Sequence, residues 1–463
     1  MSLGRQYAAE HLRTLLLDEV QLKAEQGFPA LSDFLARIRV ADFSELHEIE
    51  SELEALPEPQ SLSTNEPLIW EIPKPADDWQ PWTPTREELD DQIRGAWYGR
   101  IAGCILGKPV ECHEFFARPK SLRAFLEATN QWPLRDYVQL CDAEMVRFAG
   151  HPCRFPPSTK GNIRYAQSDD DLRYTLAGLR IQACRVDTSK PGVISYSWPT
   201  SKDVFKYWAS HWLPNHTFTA EQAAISNSYA FGKPQGWLHE DASEDQLLAM
   251  RQWRNPYREW IGAAIRADGW AYSFAGDPYQ AALVAQQDAK LTHERNGEYS
   301  EIFFAGWIAG AFRYSLEESF RRALDLIPTQ SRLALVALQV REFCASKPTF
   351  DSLLDFIAEK TGHYNGVHSI NNAAVCVGAV FLSEGDFELG ITRAVMCGLD
   401  TDCNGATVGS ILGANLGARA LPLEKWISPF NDTIDFEYVG EERQSIDRLA
   451  EWTSELWLEL NRK

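Results

Sequence analysis

The sequence lacks several features that would assign it to a protein class at once. Nine cysteines are spread over 463 residues without a Cys-x-x-Cys pair, which excludes a zinc ribbon and a thioredoxin-type redox motif. No stretch of about 18 uncharged apolar residues occurs, so a membrane span is not expected. No secretory signal pattern is visible at the N-terminus, and we therefore expect reduced, buried thiols in a cytoplasmic protein.

Basic residues are also scarce. Lys and Arg number 45 against 65 Asp and Glu, which gives a formal net charge of −20. Because nucleic-acid binding depends on clustered Lys and Arg that neutralise phosphates, a nucleic-acid partner is not expected. Apolar residues make up 44% of the chain, including 16 Trp and 23 Phe, and they support a large buried core. The length accommodates two or three average domains, or one large domain with an appendage.

The first 84 residues differ in composition from the rest. Three amphipathic helical patterns cover 8–26, 31–40 and 43–56. Seven prolines follow within 57–84. Because disordered segments are usually poor in aromatic residues, we predict a surface linker there, anchored by Trp70, Trp79 and Trp82. The predicted organisation is a helical N-terminal extension (1–56), a Pro- and Trp-rich linker (57–84) and a main domain (85–463).

Two predicted helices of the main domain carry a glycine at every fourth position. The first begins at 85, where Thr85 and Glu88 fit a capping box, and ends at Pro109, just before Glu111. The second covers 405–419 and follows the acidic turn that begins at 398. Their glycines are Gly95, Gly99, Gly103, Gly107 and Gly405, Gly409, Gly413, Gly417. A glycine costs a helix about 1 kcal/mol relative to alanine, so such a stripe indicates the close approach of another backbone. We predict that these two helices pack on each other or around one site.

Helical periodicity recurs through the main domain, whereas alternating strand patterns are scarce. The remaining predicted helices cover 168–185, 203–210, 220–229, 244–252, 257–267, 279–289, 298–315, 317–326, 331–346, 351–360 and 370–382. Residues 112–165 are irregular, and loops with short helices are expected there. The predicted fold class is all-α, a compact multi-helix domain with an N-terminal helical appendage.

Two acidic clusters stand at predicted helix starts, Ser168-Asp169-Asp170 and Asp400-Thr401-Asp402-Cys403. Adjacent carboxylates repel one another unless a cation lies between them, and oxygen-rich clusters favour Mg²⁺, Mn²⁺ or Ca²⁺ over zinc. The first cluster also fits an ordinary helix cap, with Ser168 and Asp171 as a capping box. A calcium loop of the EF-hand type is excluded for the second cluster, because Ile411 occupies the position of the required glutamate.

Other motifs that carry chemistry are absent. Gly107-Lys108 does not complete a phosphate-binding loop, since Ala102 replaces the first glycine and Pro109 the Ser or Thr. No His-Glu-x-x-His or Gly-x-Ser-x-Gly segment occurs. His293 and His368 are possible site residues, although a single histidine is more often a structural hydrogen-bonding residue.

Four motifs resemble those of the ADP-ribosylglycohydrolase family, in matching order over roughly residues 88–420. In chain order they are GRIAGCILGKPVE, the short motif Ser-Asp-Asp, HSINNAA and GLDTDCNGATVGSILGA. The resemblance implies a compact all-α domain with a two-metal site, Mg²⁺ or Mn²⁺. It further implies hydrolysis of an N- or O-glycosidic bond at C1″ of ADP-ribose, in a modified protein or a small ADP-ribose conjugate.

Roles for individual residues follow from the same resemblance. The implied metal ligands are Ser168, Asp169, Asp170, Asp400, Asp402 and Cys403. The implied catalytic base is Asp402 or Glu111, and the implied substrate contacts are Glu111, Gly107, His368 and Asn371. Two metal ions can chelate the vicinal ribose hydroxyls and polarise a water molecule. A carboxylate can take the proton of that water, and negative charge stabilises an oxocarbenium-like transition state.

Three positions depart from the family pattern. Cys104 stands where many relatives have Asp, Cys403 replaces the usual Thr or Ser, and Asp171 replaces a common Thr. Two alternatives therefore stay open, a hydrolase of another N-ribosyl compound such as a nucleoside or nucleotide derivative, and a non-catalytic binding relative. The aspartates kept at all four positions weigh against the second alternative, because an unused site has no reason to hold like charges together.

Overall fold

The computed structural model describes residues 3–75, 80–117, 119–190, 193–213, 216–231, 243–437 and 440–461. In these ranges the chain forms 23 α-helices and four short strands, which confirms the predicted all-α class. The helices of the first 84 residues are α1 (Leu3–Glu25), α2 (Ser32–Val40), α3 (Phe43–Glu54) and α4 (Gln60–Asn65).

The main domain contains the other nineteen helices of the described residues. Its first half has α5 (Arg86–Gly107), α6 (His113–Ala117), α7 (Pro119–Ala128), α8 (Asp142–Ala149), α9 (Asp170–Ala183), α10 (Ser201–His211), α11 (Thr219–Phe231) and α12 (Glu244–Gln252). Its second half has α13 (Ala267–Ser273), α14 (Pro278–Ala289), α15 (Asn296–Ala311), α16 (Leu316–Leu324), α17 (Arg332–Ala345), α18 (Phe350–Thr361), α19 (Ser369–Leu382), α20 (Phe387–Met396), α21 (Thr401–Leu416), α22 (Leu423–Trp426) and α23 (Ile446–Leu460).

The strands form two small antiparallel pairs. One pair is β1 (Val186–Lys190) with β2 (Val193–Tyr196), and the other is β3 (Thr433–Asp435) with β4 (Arg443–Ser445). Within the described ranges, none of the helices combines the length and apolar character that crossing a bilayer requires.

Helices α5 and α21 pack antiparallel at the centre of the main domain, as their glycine stripes predict. Each glycine of one helix faces a backbone carbonyl of the other: a Cβ atom added at Gly99 would lie 2.0 Å from the Gly409 oxygen, and one at Gly103 would lie 1.9 Å from the Gly405 oxygen. Because no side chain fits in this space, the glycines set the distance between the helices. The stripe on α21 has three glycines rather than the four predicted. The helix ends at Leu416, and the fourth glycine, Gly417, follows it with a positive φ of 77°.

The N-terminal helices pack together and against the main domain. Apolar residues of α1 to α3, including Leu16, Ile38 and Leu46, form a separate small core. Of the predicted linker anchors, the Trp70 indole N–H donates to the Leu326 carbonyl at 2.8 Å, and the Trp82 ring packs edge-on against Trp457 with ring centroids 5.6 Å apart. Trp79 lies outside the described residues.

The helix predicted over 257–267 is wrong. Apart from a single 3₁₀ turn at Ala264–Arg266, this segment is a series of turns up to the start of α13. Its backbone groups bond to the segment before α19 instead: the Ile261 N–H donates to the Val367 carbonyl at 2.9 Å, and the Ser369 N–H donates to the Glu259 carbonyl at 3.0 Å. Long-range partners therefore replace the i to i+4 bonds that the periodicity favoured.

Candidate active site

The acidic residues come from the starts of α9 and α21. Asp169 caps α9, because its side chain accepts a hydrogen bond from the Asp171 N–H at 3.1 Å. The capping box considered for Ser168 is therefore not formed. Asp400 is the N-cap residue of α21. Both helix starts favour negative charge, because their first N–H groups have no partner within the helix and the helix dipole is positive at this end.

The start of α21 is held by hydrogen bonds to its neighbours. The Thr401 hydroxyl donates to the Gly107 carbonyl at the end of α5 at 3.0 Å. The Asn372 side-chain oxygen on α19 accepts from the Asp400 N–H at 3.1 Å and from the Asn404 amide at 2.8 Å. These bonds fix the backbone that carries Asp400 and Asp402, so their carboxylates are placed by three helices rather than by a free loop.

The two helix starts converge into one cluster of potential metal ligands. Ligand atoms of Asp171, Asp402 and Cys403 lie within 4.8 Å of one another, and so do those of Asp169, Asp170 and Asp171. A third group at the same spacing joins Asp169 and Asp402 with Cys104. Asp402, from the start of α21, therefore takes part in two groups, each of which also contains a residue from the start of α9. The two acidic clusters, which are far apart in the sequence, come together in space.

Electrostatics differ sharply between members of the cluster. The Lys108 ammonium forms an ion pair with Asp169 and donates to the Ser168 carbonyl at 2.7 Å. Burial would raise the pKa of Asp169, but Lys108, together with Arg173 and the Asp171 N–H, outweighs burial and the pKa lies below its usual value. Burial and the Asp169 charge raise the pKa of Asp170 to about 7. Burial, with Asp169, Asp400 and Asp170 nearby, raises the pKa of Glu111 well above its usual range.

Asp171 has a structural partner as well as a place in the cluster. The fully buried Arg100 side chain lies 3.1 Å from an Asp171 carboxylate oxygen and 2.7 Å from one of Asp268. Arg100 also donates to the Thr175 hydroxyl at 2.7 Å. A buried charge requires paired and hydrogen-bonded neighbours, so this arginine fixes Asp171 behind the other carboxylates.

The residues present fit a hard divalent cation. One carboxylate oxygen each of Asp400 and Asp402 is buried and has no hydrogen-bond partner among the described residues. Burial and neighbouring carboxylates raise the pKa of Asp402 well above its usual range, as expected for acids brought together without a counter-charge. Clustered carboxylate oxygens are the donors that Mg²⁺ and Mn²⁺ prefer, whereas the Cys403 thiol is a softer group.

The cluster forms one wall of a large cavity of about 1450 Å³. Glu111, Ser168, Asp169, Asp170, Asp400 and Asp402 line this wall. Phe155, Trp260 and Tyr364 supply aromatic surface elsewhere in the cavity. A volume of this size is sufficient for a ligand of dinucleotide-like dimensions.

The structure brings most of the predicted site residues to the cavity, but not all of them. Ser168 and Asn371 line it, although the Ser168 hydroxyl already donates to the Phe436 carbonyl at 2.9 Å and accepts from Arg173 at 2.6 Å. Gly107 instead packs against the Thr401 backbone. His368 is fully buried, and its Nδ1 atom accepts from the Ile370 N–H at the start of α19 at 3.1 Å.

Sequence reasoning missed three residues that shape the site. The sequence pattern connects Lys108 only with an incomplete phosphate loop. Its position after a glycine-striped helix and close to Glu111 is the signal that could have indicated a charge partner for the acidic residues. Trp260 lies in the segment mispredicted as a helix. Asp18 lines the cavity from α1 and accepts from the Tyr257 hydroxyl at 3.2 Å, and no local pattern in the sequence connects it with the site.

Comparisons with known proteins relate the chain to one family. The model of the family described as ADP-ribosylglycohydrolase matches residues 85–462. No curated protein matches the chain significantly. A solved structure described as an ADP-ribosylglycohydrolase-related protein complex aligns with 81% of this chain and 98% of its own, at 17% sequence identity and a TM-score of 0.42.

Proposed function

Because this chain belongs to the ADP-ribosylglycohydrolase family, a family of glycosidic hydrolases, we propose that it hydrolyses an N- or O-glycosidic bond at C1″ of ADP-ribose. The substrate is an ADP-ribosylated protein or a small ADP-ribose conjugate. The observation that supports this proposal most directly is the convergence of carboxylates from α9 and α21 on one wall of the cavity. That wall offers hard oxygen ligands next to a space large enough for the substrate.

Two divalent cations, Mg²⁺ or Mn²⁺, would be held by Asp169, Asp170, Asp400 and Asp402. Ser168 and Cys403 are the more weakly suited members of this proposed ligand set, because the serine hydroxyl is already hydrogen-bonded and the thiol is soft. When bound, the cations supply Lewis-acid polarisation and orient the ribose hydroxyls.

The protein side chains perform the remaining tasks. Glu111 lies on the cavity wall. With cations bound beside it, the neighbouring negative charges that help to raise its pKa would be offset, and its carboxylate would take the proton of the attacking water. Asp402 is the alternative base. Lys108 keeps Asp169 ionised through their ion pair. The carboxylates together stabilise positive charge that develops at C1″ in an oxocarbenium-like transition state.

The test is hydrolysis of ADP-ribosyl-arginine and ADP-ribosyl-serine peptides with Mg²⁺ or Mn²⁺, and again with EDTA. We expect cation-dependent release of ADP-ribose by the unmodified protein. Asp402→Asn should lose activity and bind Mn²⁺ more weakly in calorimetry. Glu111→Gln should retain Mn²⁺ binding, while its kcat falls by about 10²- to 10⁴-fold. Asp90→Asn, which alters an exposed ion pair on α5, is the matched control and should behave as the unmodified protein.

Two results would contradict the proposal. Cation binding without release of ADP-ribose from either peptide would favour another N-ribosyl compound, which a panel of nucleosides and nucleotides would then identify. Neither cation binding nor release would leave a non-catalytic relative of the family.

A further inference from the structure

A second group of potential metal ligands lies at the edge of the cavity, apart from the acidic cluster. The Cys112 sulfur, a Glu114 carboxylate oxygen and a His151 ring nitrogen lie within 4.8 Å of one another. Cys112 is only 2% exposed and lines the cavity. Unlike the acidic cluster, this group combines sulfur, nitrogen and oxygen donors, which is the ligand chemistry of a borderline cation such as Zn²⁺.

The hydrogen bond made by His151 defines which ring nitrogen is free. Its Nδ1 atom lies 2.7 Å from the Pro152 carbonyl oxygen. A carbonyl oxygen only accepts hydrogen bonds, so Nδ1 carries a proton, and in the neutral form of the ring the lone pair is at Nε2. Metal-binding histidines are commonly held by this type of bond from the second nitrogen to a backbone carbonyl.

The free nitrogen faces a carboxylate oxygen with a gap between them. His151 Nε2 lies 3.8 Å from Glu114 Oε2. Both atoms are buried, and neither has a hydrogen-bond partner in the part of the chain that the structure describes. Two atoms that both present lone pairs repel each other unless a proton or a cation lies between them.

The length of this gap favours a cation over a proton. A direct N–H to oxygen hydrogen bond spans about 2.7–3.2 Å, so the observed separation is too long for one. Nitrogen and oxygen ligands of a tetrahedral Zn²⁺ ion, each about 2.0–2.2 Å from the metal, lie about 3.4 Å apart. If the distance between His151 Nε2 and Glu114 Oε2 shortened by a few tenths of an ångström, both atoms could bind one tetrahedral Zn²⁺ ion, with Cys112 as the third ligand.

We propose that Cys112, Glu114 and His151 form a binding site for Zn²⁺ or a similar borderline divalent cation. Binding forms three metal–ligand bonds and releases the Cys112 thiol proton to solvent, so the thiolate and the carboxylate balance the two positive charges of the ion. The fourth position of a tetrahedral ion remains open for water. The His151 side chain is 21% exposed, which leaves a route for the ion to enter. When bound, the ion ties the segment that follows Glu111 to the loop after α8.

The test uses Co²⁺ as a spectroscopic probe of the full-length protein. Titration in excess Mg²⁺, which occupies hard oxygen sites, should produce the absorption band of a thiolate bound to Co²⁺, and Zn²⁺ should displace the Co²⁺. Since even changes behind the ligands of a metal site weaken binding about 10- to 100-fold, Cys112→Ser and His151→Gln should each weaken Co²⁺ binding at least tenfold. His151→Gln is the second variant because its partly exposed side chain can be replaced without a cavity in the core.

The matched controls are two other cysteines. Cys403→Ser alters the thiol of the acidic cluster, and Cys153→Ser alters a neighbouring thiol outside the group; both should keep the band. A band lost only in Cys403→Ser would place the ion in the acidic cluster and overturn the proposal. No band at all, or a band unchanged in Cys112→Ser, would also overturn it and leave His151 and Glu114 as a simple ion pair.

Discussion

At the scale of single residues, burial determines the protonation of a glutamate far from the acidic cluster. Glu25, at the end of α1, is 6% exposed. One of its oxygens accepts from the Asn365 N–H at 2.6 Å and from the Gln21 amide at 2.9 Å. The other oxygen has no hydrogen-bond partner among the described residues and lies 3.9 Å from His368 Nε2. Burial raises the pKa of Glu25 to about 7, so its carboxyl group is largely protonated below neutral pH.

This pKa predicts a pH-dependent stability that a single substitution should remove. A carboxyl group whose pKa rises from 4.5 in the unfolded chain to about 7 in the folded protein stabilises the fold at low pH. This contribution is lost as the pH rises through 7, because the folded state then has to give up its extra proton. Of the charged groups around it, Glu259 raises this pKa and Arg332 lowers it.

The measurement is urea denaturation of the unmodified protein and Glu25→Gln at several pH values. Relative to the variant, the unmodified protein should lose about 3 kcal/mol of unfolding free energy between pH 4.5 and about pH 8. Glutamine keeps the oxygen that accepts from Asn365 but does not titrate, which makes it a matched replacement. Unfolding free energies that differ by a constant amount across this range would contradict the prediction.

At the scale of secondary-structure elements, the contact between α5 and α21 supports the site directly. The hydrogen bond from Thr401 to the Gly107 carbonyl joins the end of α5 to the start of α21, and Lys108 lies immediately after that end. The glycines bring the helix axes close enough for this bond to form. Separation of the two helices would therefore move Asp402 away from Lys108, the ion-pair partner of Asp169, as well as loosening the core.

We expect Gly103→Ala to destabilise the protein although alanine is the better helix former. The added Cβ atom would lie 1.9 Å from the Gly405 oxygen, so the backbones must move apart. The cost of overpacking, about 1–3 kcal/mol or more, should exceed the gain of about 1 kcal/mol in helix propensity. Thermal unfolding would measure the effect, with Glu87→Ala on the exposed side of the same helix as the control. Equal or higher stability of Gly103→Ala would show that the helices can separate at little cost.

At the scale of the whole molecule, a buried ionic network joins the N-terminal residues to the main domain. Arg332 lies 2.7 Å from carboxylate oxygens of both Glu66 and Glu259 and donates to the Glu25 carbonyl at 2.7 Å. The Gln26 amide also donates to Glu259 at 2.8 Å. Because Glu259 directly precedes Trp260, which lines the cavity, this network places the N-terminal extension beside the site.

Loss of Arg332 should therefore weaken the whole fold. Arg332→Leu leaves Glu66 and Glu259, which are 2% and 0% exposed, without their counter-charge, and breaking a buried pair in this way typically costs about 3–5 kcal/mol. The matched control is Arg37→Leu, which removes an ion pair with Glu52 on the surface and should cost less than about 1 kcal/mol. Denaturant unfolding of both variants measures the difference. A similar small loss in both would show that the network does not stabilise the fold.

The division into an extension, a linker and a main domain stays a prediction. The contacts through Trp70, Arg332 and Asp18 nevertheless show that the residues before 85 are packed on the rest of the chain, and that the extension reaches the cavity. Only contacts between residues far apart in the chain could give their position.

Features that depend on neighbouring residues followed from the sequence alone. The helix class, the capping box at Thr85, the glycine stripes of α5 and α21 and the acidic helix starts all rest on patterns within a few turns of chain. Apolar periodicity, N-cap hydrogen bonds and glycine spacing each act over a few residues, so the local sequence is sufficient to predict them.

Tertiary structure decided the features that depend on long-range partners. It replaced the helix predicted at 257–267 with turns bonded to the segment before α19, paired Arg100 with Asp171, and brought Asp402 into one cluster with Asp169. It also placed Cys112 beside His151 and raised the pKa of Glu25 by burial. Each of these outcomes depends on which distant surfaces meet, and no local pattern in the sequence records that information.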